Sequence, residues 1–239
     1  MVQNQASSNQ AMQCPLCGGH SVADYHSDKR RDYLQCSLCE LVFVPSHQQL
    51  SQQDEKAIYD QHQNSADDQG YREFLRRLTN PLLGRLKGGS QGLDFGCGPG
   101  PTLSVILEEQ GHHMALYDLY YANNPAVLER QYDFIASTEV IEHLAHPGAE
   151  LQRLWSLLAP GGYLGLMTKQ VKDREAFANW HYKNDLTHIS FFSEQTFAYL
   201  GRQWGSTPEF IGADVIIFRK QTVLPAQTPA LSDSHPVRW

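Results

Sequence analysis

Leu93-Asp94-Phe95-Gly96-Cys97-Gly98-Pro99-Gly100 is the stretch on which the reading of this chain turns. A short strand-like segment, Gly92 to Phe95, runs into three glycines at alternate positions, and a helix-forming run from Pro101 to Gln110 follows. A strand, a glycine turn and a helix in that order let a ligand come close to the backbone, because glycine has no Cβ and tolerates positive φ. The helix start adds free N–H groups and the positive end of its dipole. Gly100 reads as the N-cap, Pro101 as the first helical residue and Gly111 as the residue just past the end. The spacing excludes two common phosphate loops. A dinucleotide fingerprint needs a third glycine where this chain has Pro101, and a Walker loop needs a Gly-Lys-Ser/Thr ending that is absent.

Working outward, strands and helices alternate from Gln91 onward. A second strand, His113 to Tyr117, ends at Asp118. Tyr132 to Ser137 is the next, followed by a turn or helix through Thr138 to Leu144, a helix from Gly148 to Leu158, the turn Pro160-Gly161-Gly162 and a strand from Tyr163 to Met167. Two closing strands are expected near Ile189 to Phe192 and Val215 to Arg219, separated by a helix around Gln195 to Trp204. The alternation predicts an α/β fold, a doubly wound, Rossmann-like, mostly parallel sheet with helices on both faces. Upstream, Phe74, Leu75, Leu78, Leu82, Leu83 and Leu86 recur close to a helical period, so Tyr71 to Leu86 is read as an amphipathic helix packed on the main domain. Ala57, Ile58 and Tyr59 suggest another helix, and Gln63 to Gly70 a loop.

The pattern Gly96-x-Gly98-x-Gly100 preceded by Asp94, then Asp118, then the Pro160-Gly161-Gly162 turn, resembles the class I S-adenosylmethionine-dependent methyltransferases over about Gln91 to Lys220. The resemblance implies S-adenosylmethionine as cofactor. Asp94 then helps orient its methionyl part, Asp118 grips both ribose hydroxyls, Gly96, Gly98 and Gly100 form the loop, and Glu139 lies near the cofactor. A carboxylate suits a vicinal diol, since one group can accept two hydrogen bonds. Only 13 residues separate Asp118 from Tyr132, so the helix and strand usual there are shortened or missing. Leu119 and Tyr120 are adenine-side candidates by position alone. Cys97 is read as a small packing residue.

Thr138-Glu139-Val140-Ile141-Glu142-His143 begins at the sheet edge where doubly wound folds place their active sites. On a helix, Glu139, Glu142 and His143 would stand at i, i+3 and i+4, on one face. Two carboxylates and an imidazole suit a divalent ion or acid–base work. The plainer reading leaves Glu139 beside the cofactor and His143 hydrogen-bonded within the fold. The segment is similar to the Glu-x-x-Glu-His motif of two metal-dependent O-methyltransferase groups, those of ubiquinone biosynthesis and the small-RNA terminal 2′-O-methyltransferases. In the second group a later histidine supplies a further ligand, and His188, followed by Phe192 and Ser193, has that spacing. The resemblance implies catalytic roles for Glu142, His143 and His188, and a site of Glu139, Glu142, His143 and His188 for Mg²⁺ or a similar ion. Such an ion would bind the acceptor hydroxyl and lower its pKa. The run Trp180 to Asp185 lies where this fold often builds a substrate cover; a packed surface loop is the alternative.

Near the N-terminus, Cys14-Pro15-Leu16-Cys17 and Cys36-Ser37-Leu38-Cys39 are two Cys-x-x-Cys pairs separated by 18 residues. Four thiolates at this spacing fit one tetrahedral zinc in a ribbon, and the full ligand count makes the ion structural. Rubredoxin-like iron and a redox dithiol pair stay open. Strand-like runs at Tyr33 to Gln35 and Leu41 to Val44 complete the module. The expected organisation is therefore a disordered tail at 1–12, the zinc ribbon at 13–45, a helical linker or cap at 46–88, the methyltransferase domain at 89–222 and a flexible tail at 223–239.

Composition narrows the function classes. With 41% hydrophobic and 19% charged residues over 239 positions, the chain has the make-up of a globular protein with room for one large core and a small module. A net charge of −7 disfavours, without excluding, a nucleic-acid partner. The short basic run Lys29-Arg30-Arg31 reads as a solvated loop. No apolar run approaches the roughly 20 residues that span a bilayer, and Met1 to Gln13 lacks an apolar signal stretch, so a cytoplasmic location without membrane attachment is expected. Together the residues are read as a methyltransferase-23-like enzyme with an N-terminal four-cysteine zinc ribbon, methylating a hydroxyl of a small-molecule acceptor with help from a divalent metal. The alternatives are an RNA or protein methyltransferase docking through the ribbon, and a cofactor-binding regulator without catalysis. The complete Asp94, Asp118 and Glu-Glu-His set argues against the last.

Overall fold

Two sheets organise the chain, and they meet at the site. The computed structural model describes residues 12–61 and 65–222. The expected tails, apart from Met12, and residues 62–64, the last two of them in the expected loop, lie outside them. The first sheet begins with β1 (Val22–Ser27), β2 (Asp32–Cys36) and β3 (Val42–Phe43), antiparallel in sequence order. Two helices follow. Ser51 caps α1 (Gln52–Tyr59) by accepting from the N–H of Asp54, and Asp68 caps α2 (Gln69–Leu83) by accepting from that of Tyr71. The second helix thus starts two residues before the expected Tyr71 and ends three before Leu86.

β4 (Gln91–Phe95) leads through the glycine turn into α3 (Thr102–Glu108). Pro101 is the N-cap, not the first helical residue, and its ψ of 58° keeps it outside the helix. β5 (His113–Tyr117) and β6 (Tyr132–Thr138) are joined by a bridge between Asp118 and Ala122 and a 3₁₀ turn over Pro125–Glu129, to which the helix and strand expected to be shortened or missing are reduced. α4 (Pro147–Leu157) runs directly into β7 (Leu158–Met167). Pro160-Gly161-Gly162 is therefore no separate turn: it forms an irregularity inside β7, where the register against β6 jumps from Tyr132–Leu158 to Phe134–Tyr163.

After α5 (Arg174–Ala178) comes the main topological surprise. The segment expected to close the central sheet near Ile189 to Phe192 forms β8 (Ser190–Phe191), which instead pairs with β3 of the ribbon, Val42 opposite Phe191 and Phe43 opposite Ser190. Then α6 (Glu194–Trp204), β9 (Glu209–Ile211) and β10 (Val215–Arg219) complete the chain; β9 was not foreseen. The central sheet has the order β5-β4-β6-β7-β10-β9, with the first four strands parallel and β10 antiparallel to β7 and β9.

Alternation along the inner strands explains the layers. In β10, Val215 and Ile217 face the side covered by Leu75, Leu78 and Leu82 of α2 and Leu103, Ile106 and Leu107 of α3, while Ile216 and Phe218 face Leu151 and Leu154 of α4 and Phe197 and Leu200 of α6. Both faces are buried, which is why the strand reads as a continuous apolar run. The ribbon shares the second of these cores: Cys14, Leu16, Leu41 and Phe43 belong to the same buried cluster as Leu151 and Trp155. Gly148 at the start of α4 donates its N–H to the carbonyl of Pro15 (3.2 Å). Among the described residues no helix is long and apolar enough to cross a membrane.

The contact at Gly148 sets a test. A Cβ there would lie 2.1 Å from the carbonyl oxygen of Leu16, a backbone atom that cannot swing away. Gly148→Ala should lower the stability by about 1–3 kcal/mol in chemical denaturation; an unchanged midpoint would show that ribbon and helix are not so closely apposed.

Candidate functional site

β5 and β6 flank β4 on opposite sides, so the loops leaving the carboxyl ends of β4 and β6 diverge around a crevice, as expected at a topological switch point. A cavity of about 910 Å³ opens there, bounded by the glycine loop, Asp118, Tyr120, Glu139, His143 and His188. It lies at the upper end of the usual range for small-molecule sites.

On one side stands the glycine loop. Gly96 has φ +80°, and a Cβ on it would lie 2.3 Å from Cγ2 of Val140, so both its conformation and its neighbour demand glycine. The N–H groups of Gly96 (2.8 Å) and Cys97 (3.3 Å) are donated to the carbonyl of Tyr117, tying the loop to the end of β5. Asp118 ties it further. One carboxylate oxygen accepts the N–H of Gly98 (2.9 Å), and the other accepts those of Tyr120 (2.8 Å) and Tyr121 (3.1 Å). Gly100 also borders the cavity, as do Leu119 and Tyr120, although Leu119 is half exposed. Cys97 is half-buried and borders the cavity too.

Beneath the loop lies Asp94, 2% exposed. Burial pushes its carboxyl up to about 7; the Ser104 hydroxyl, donating at 3.0 Å, opposes this, and the charge of Asp118 adds to it. No Lys, Arg or His among the described residues forms an ion pair with it.

Across the cavity, the Glu139-to-His143 segment is not the helix that would align its side chains. Glu139 has φ +52°, and only Ile141–His143 form a single 3₁₀ turn. Glu142 and His143 are thereby separated from Glu139, and the chain brings in His188 instead: ligand atoms of Glu142, His143 and His188 all lie within 4.8 Å of one another. Glu139 is not in that group. Each imidazole is oriented through Nδ1, His143 toward the carbonyl of Thr187 (3.2 Å) and His188 toward that of Tyr182 (2.8 Å). Donation by Nδ1–H makes Nε2 the acceptor nitrogen. Burial holds His188 below the ordinary histidine range, so it is neutral at pH 7 despite Asp185 nearby.

Tyr182 connects the two acids. Its hydroxyl donates toward Glu142 and lies 3.2 Å from Glu139. Glu142 is fully buried, and both acids are raised, Glu142 by burial and then by the charge of Glu139, Glu139 by burial. One oxygen of each, Oε1 of Glu139 and Oε2 of Glu142, is buried without a hydrogen-bond partner. Glu139 borders the cavity and Glu142 does not, so a polar ligand supplied from the cavity is the ordinary resolution for the first of these atoms.

The sequence reading missed Tyr182 as an individual, and it missed the part played by α1. Glu55 accepts the hydroxyls of Tyr59 (2.8 Å) and Tyr120 (2.8 Å), and the Tyr59 ring stands edge-on to His143 at 5.4 Å. α1 thus lies over the mouth of the cavity. Its only signal was a helix-like triad ending in an aromatic residue.

The cysteines gather as expected. The sulfur atoms of Cys14, Cys17, Cys36 and Cys39 lie within 4.8 Å of one another, with Cys14–Cys39 and Cys17–Cys36 each at 3.5 Å. All four are free, and 3.5 Å is far beyond a disulfide bond. Four thiolates around a tetrahedral zinc at 2.3 Å stand about 3.8 Å apart, so the donor set and spacing fit that ion. The N–H of Gly19 points at Cys17 Sγ (3.4 Å), the kind of hydrogen bond that supports a bound thiolate.

Among curated proteins no match is found. Among solved structures, an O-methyltransferase family protein from Burkholderia thailandensis superposes with a TM-score of 0.49 at 14% identity, covering 70% of this chain and 63% of that one. A chain of the complex formed by the Trm112 methyltransferase activator of Haloferax volcanii gives 0.45 at 12% identity, covering 65% and 96%. The PH0226 protein of Pyrococcus horikoshii gives 0.42 at 15%, covering 65% and 93%. The methyltransferase domain family matches residues 67–207, more than half of the 239. The match spans α2, the glycine loop, Asp118, the Glu139–His143 turn and α6, and by it the chain belongs to the methyltransferase domain family, enzymes that use S-adenosylmethionine.

Proposed function

We propose that this enzyme methylates a hydroxyl group of a small molecule, with its cofactor against the glycine loop and its acceptor against Glu142, His143 and His188. One observation carries the cofactor side: a buried carboxyl, Asp94, at the cavity floor with no ion-pair partner among the described residues. S-adenosylmethionine supplies a methyl group on a cationic sulfonium beside an ammonium. Asp94 would neutralise that positive end, and the open space around Gly98, where a Cβ would meet nothing, leaves the backbone approachable. Asp118 would grip the ribose hydroxyls by exchanging or sharing its bond to Gly98, while Gly96, Gly100 and Glu139 shape the walls. We read 13–45 as the zinc ribbon, 46–88 as the cap and 89–222 as the methyltransferase domain.

On the acceptor side, two imidazoles oriented by carbonyls, together with the orphaned oxygen of Glu142, fit a divalent ion held by three ligands; Glu139 stands outside that set. An ion there would supply Lewis acidity that lowers the pKa of the acceptor hydroxyl. Two imidazoles suit Mn²⁺ or a softer ion better than Mg²⁺. Without an ion, His188, neutral and neighboured by Asp185, is the side chain best placed to take the hydroxyl proton through Nε2; with an ion, that nitrogen is a ligand and the proton leaves from the ion-bound hydroxyl to solvent. A partly enclosed cavity and a net charge of −7 favour a small acceptor over RNA.

The carboxyl of Asp94 gives a pH test. Its ionised form binds the cation, so with a free-site pKa of about 7 the affinity for S-adenosylmethionine should rise about ten-fold from pH 6 to pH 8. Asp94→Asn should weaken binding and flatten that profile. A wild-type affinity independent of pH in this window would remove Asp94 from the site.

The acceptor class is tested by screening phenols, catechols, sugars and RNA with labelled methyl donor. Turnover is expected with a phenolic, catecholic or sugar hydroxyl, lost on chelation, restored by Mn²⁺, and reduced by about two orders of magnitude in His188→Ala. Labelling of RNA alone would contradict the small-molecule reading, and turnover indifferent to chelation would contradict the metal.

A further inference from the structure

In the basic run of the ribbon Lys29 and Arg30 are exposed, but Arg31 does not face solvent as a loop of that composition should. Arg31 is 4% exposed. Its guanidinium donates to three main-chain carbonyls of one segment, from Nη1 to Leu186 (2.9 Å) and from Nη2 to Lys183 (2.9 Å) and Asp185 (2.9 Å), and from Nε to the Tyr33 hydroxyl (3.1 Å). Arg30 takes the residue between, donating to the carbonyl of Asn184 (3.0 Å) and to its side-chain oxygen (2.8 Å). The hold is reciprocal. Lys183, itself buried, reaches Asp28 at 3.3 Å, and Asp28 also accepts the N–H groups of Arg30 (2.8 Å) and Arg31 (3.1 Å).

Every residue from Lys183 to Leu186 is therefore gripped by the ribbon, and these four lie between Tyr182 and His188. The carbonyl of Tyr182 orients His188, the carbonyl of Thr187 orients His143, and the hydroxyl of Tyr182 reaches Glu142 and Glu139. On the far side of His188, β8 is paired with β3. A guanidinium spent on the carbonyls of a single segment recognises its shape, and burial makes each lost bond costly.

We propose that Arg30 and Arg31 are positioning residues: the ribbon holds segment 183–186 so that His188, His143, Tyr182 and Glu142 meet on the acceptor side. The ribbon is then a brace for that half of the site, and its arginines are not a docking patch for nucleic acid. The consequence for turnover rests on the acceptor-side reading above; the positional claim does not.

The test therefore uses no acceptor. In the full-length, zinc-replete protein, Arg31→Ala, Arg31→Lys and the milder Arg30→Ala are compared with wild type by hydrogen exchange and by the imidazole Hε1 signals of His143 and His188. Exchange across 181–188 should quicken about ten-fold in Arg31→Ala, less in Arg30→Ala and in Arg31→Lys, whose single ammonium reaches fewer carbonyls. Both histidine signals should shift, while affinity for S-adenosylhomocysteine stays at the wild-type value. Histidine signals and local exchange that do not respond would overturn the proposal. So would uniform loosening of the whole chain with loss of S-adenosylhomocysteine binding, which marks a merely structural arginine; failure of Arg31→Ala to fold leaves Arg30→Ala and Arg31→Lys to decide by the same criteria.

Discussion

Val140 lies on the Cα of Gly96, and the cavity depends on that contact. The two loops that bound the crevice leave neighbouring parallel strands, and they can approach only because one of them has no side chain at the point where they touch. Beside that contact Glu139 takes a positive φ, and Ile141 to His143 wind into a single turn. The geometry of the acid–histidine side is thus partly set by the glycine of the cofactor side. A Cβ at 96 would disturb both halves of the site at once.

The second constraint comes from outside the central sheet. His188 sits between a segment gripped by Arg30 and Arg31 and a strand paired with β3, so it is held from both directions by a module whose own fold is organised around four cysteines. Small modules of this kind lack the core to fold alone. Here the deficit is met partly by sharing apolar residues with α4 and by the approach of Leu16 to Gly148. Ribbon and domain are in this sense one structure, with the site at their seam.

Much of this was legible in the sequence for physical reasons. The glycine turn, the buried run of β10, the shortened link after Asp118 and the cysteine pairs each carry a local signal: a residue with no Cβ, a continuous apolar run, a count of intervening residues, a metal-ligand spacing. What failed to show depended on distant partners. Ser190–Phe191 has the composition of a buried strand, yet nothing local says which sheet it joins. Arg31 looks like a solvated cation until the carbonyls of 183–186 are placed around it. Glu139, Glu142 and His143 have helical spacing, but the packing of Val140 overrides the helix. Tyr182 carries no motif and becomes visible only when its hydroxyl is found between two acids.

The electrostatic character of the cavity draws these parts together. Asp94, Asp118, Glu139 and Glu55 converge on a space whose lining holds, among the described residues, Arg153 as its one Lys or Arg, a setting that favours a cationic ligand with vicinal hydroxyls over an anionic one. Calorimetric titration of S-adenosylmethionine into the wild-type enzyme and Asp118→Ala tests this most directly. One site per chain and at least a ten-fold loss of affinity in the variant are expected, roughly the cost of losing a charge-assisted hydrogen bond; equal affinity in the two proteins would contradict a role for Asp118 in holding the cofactor.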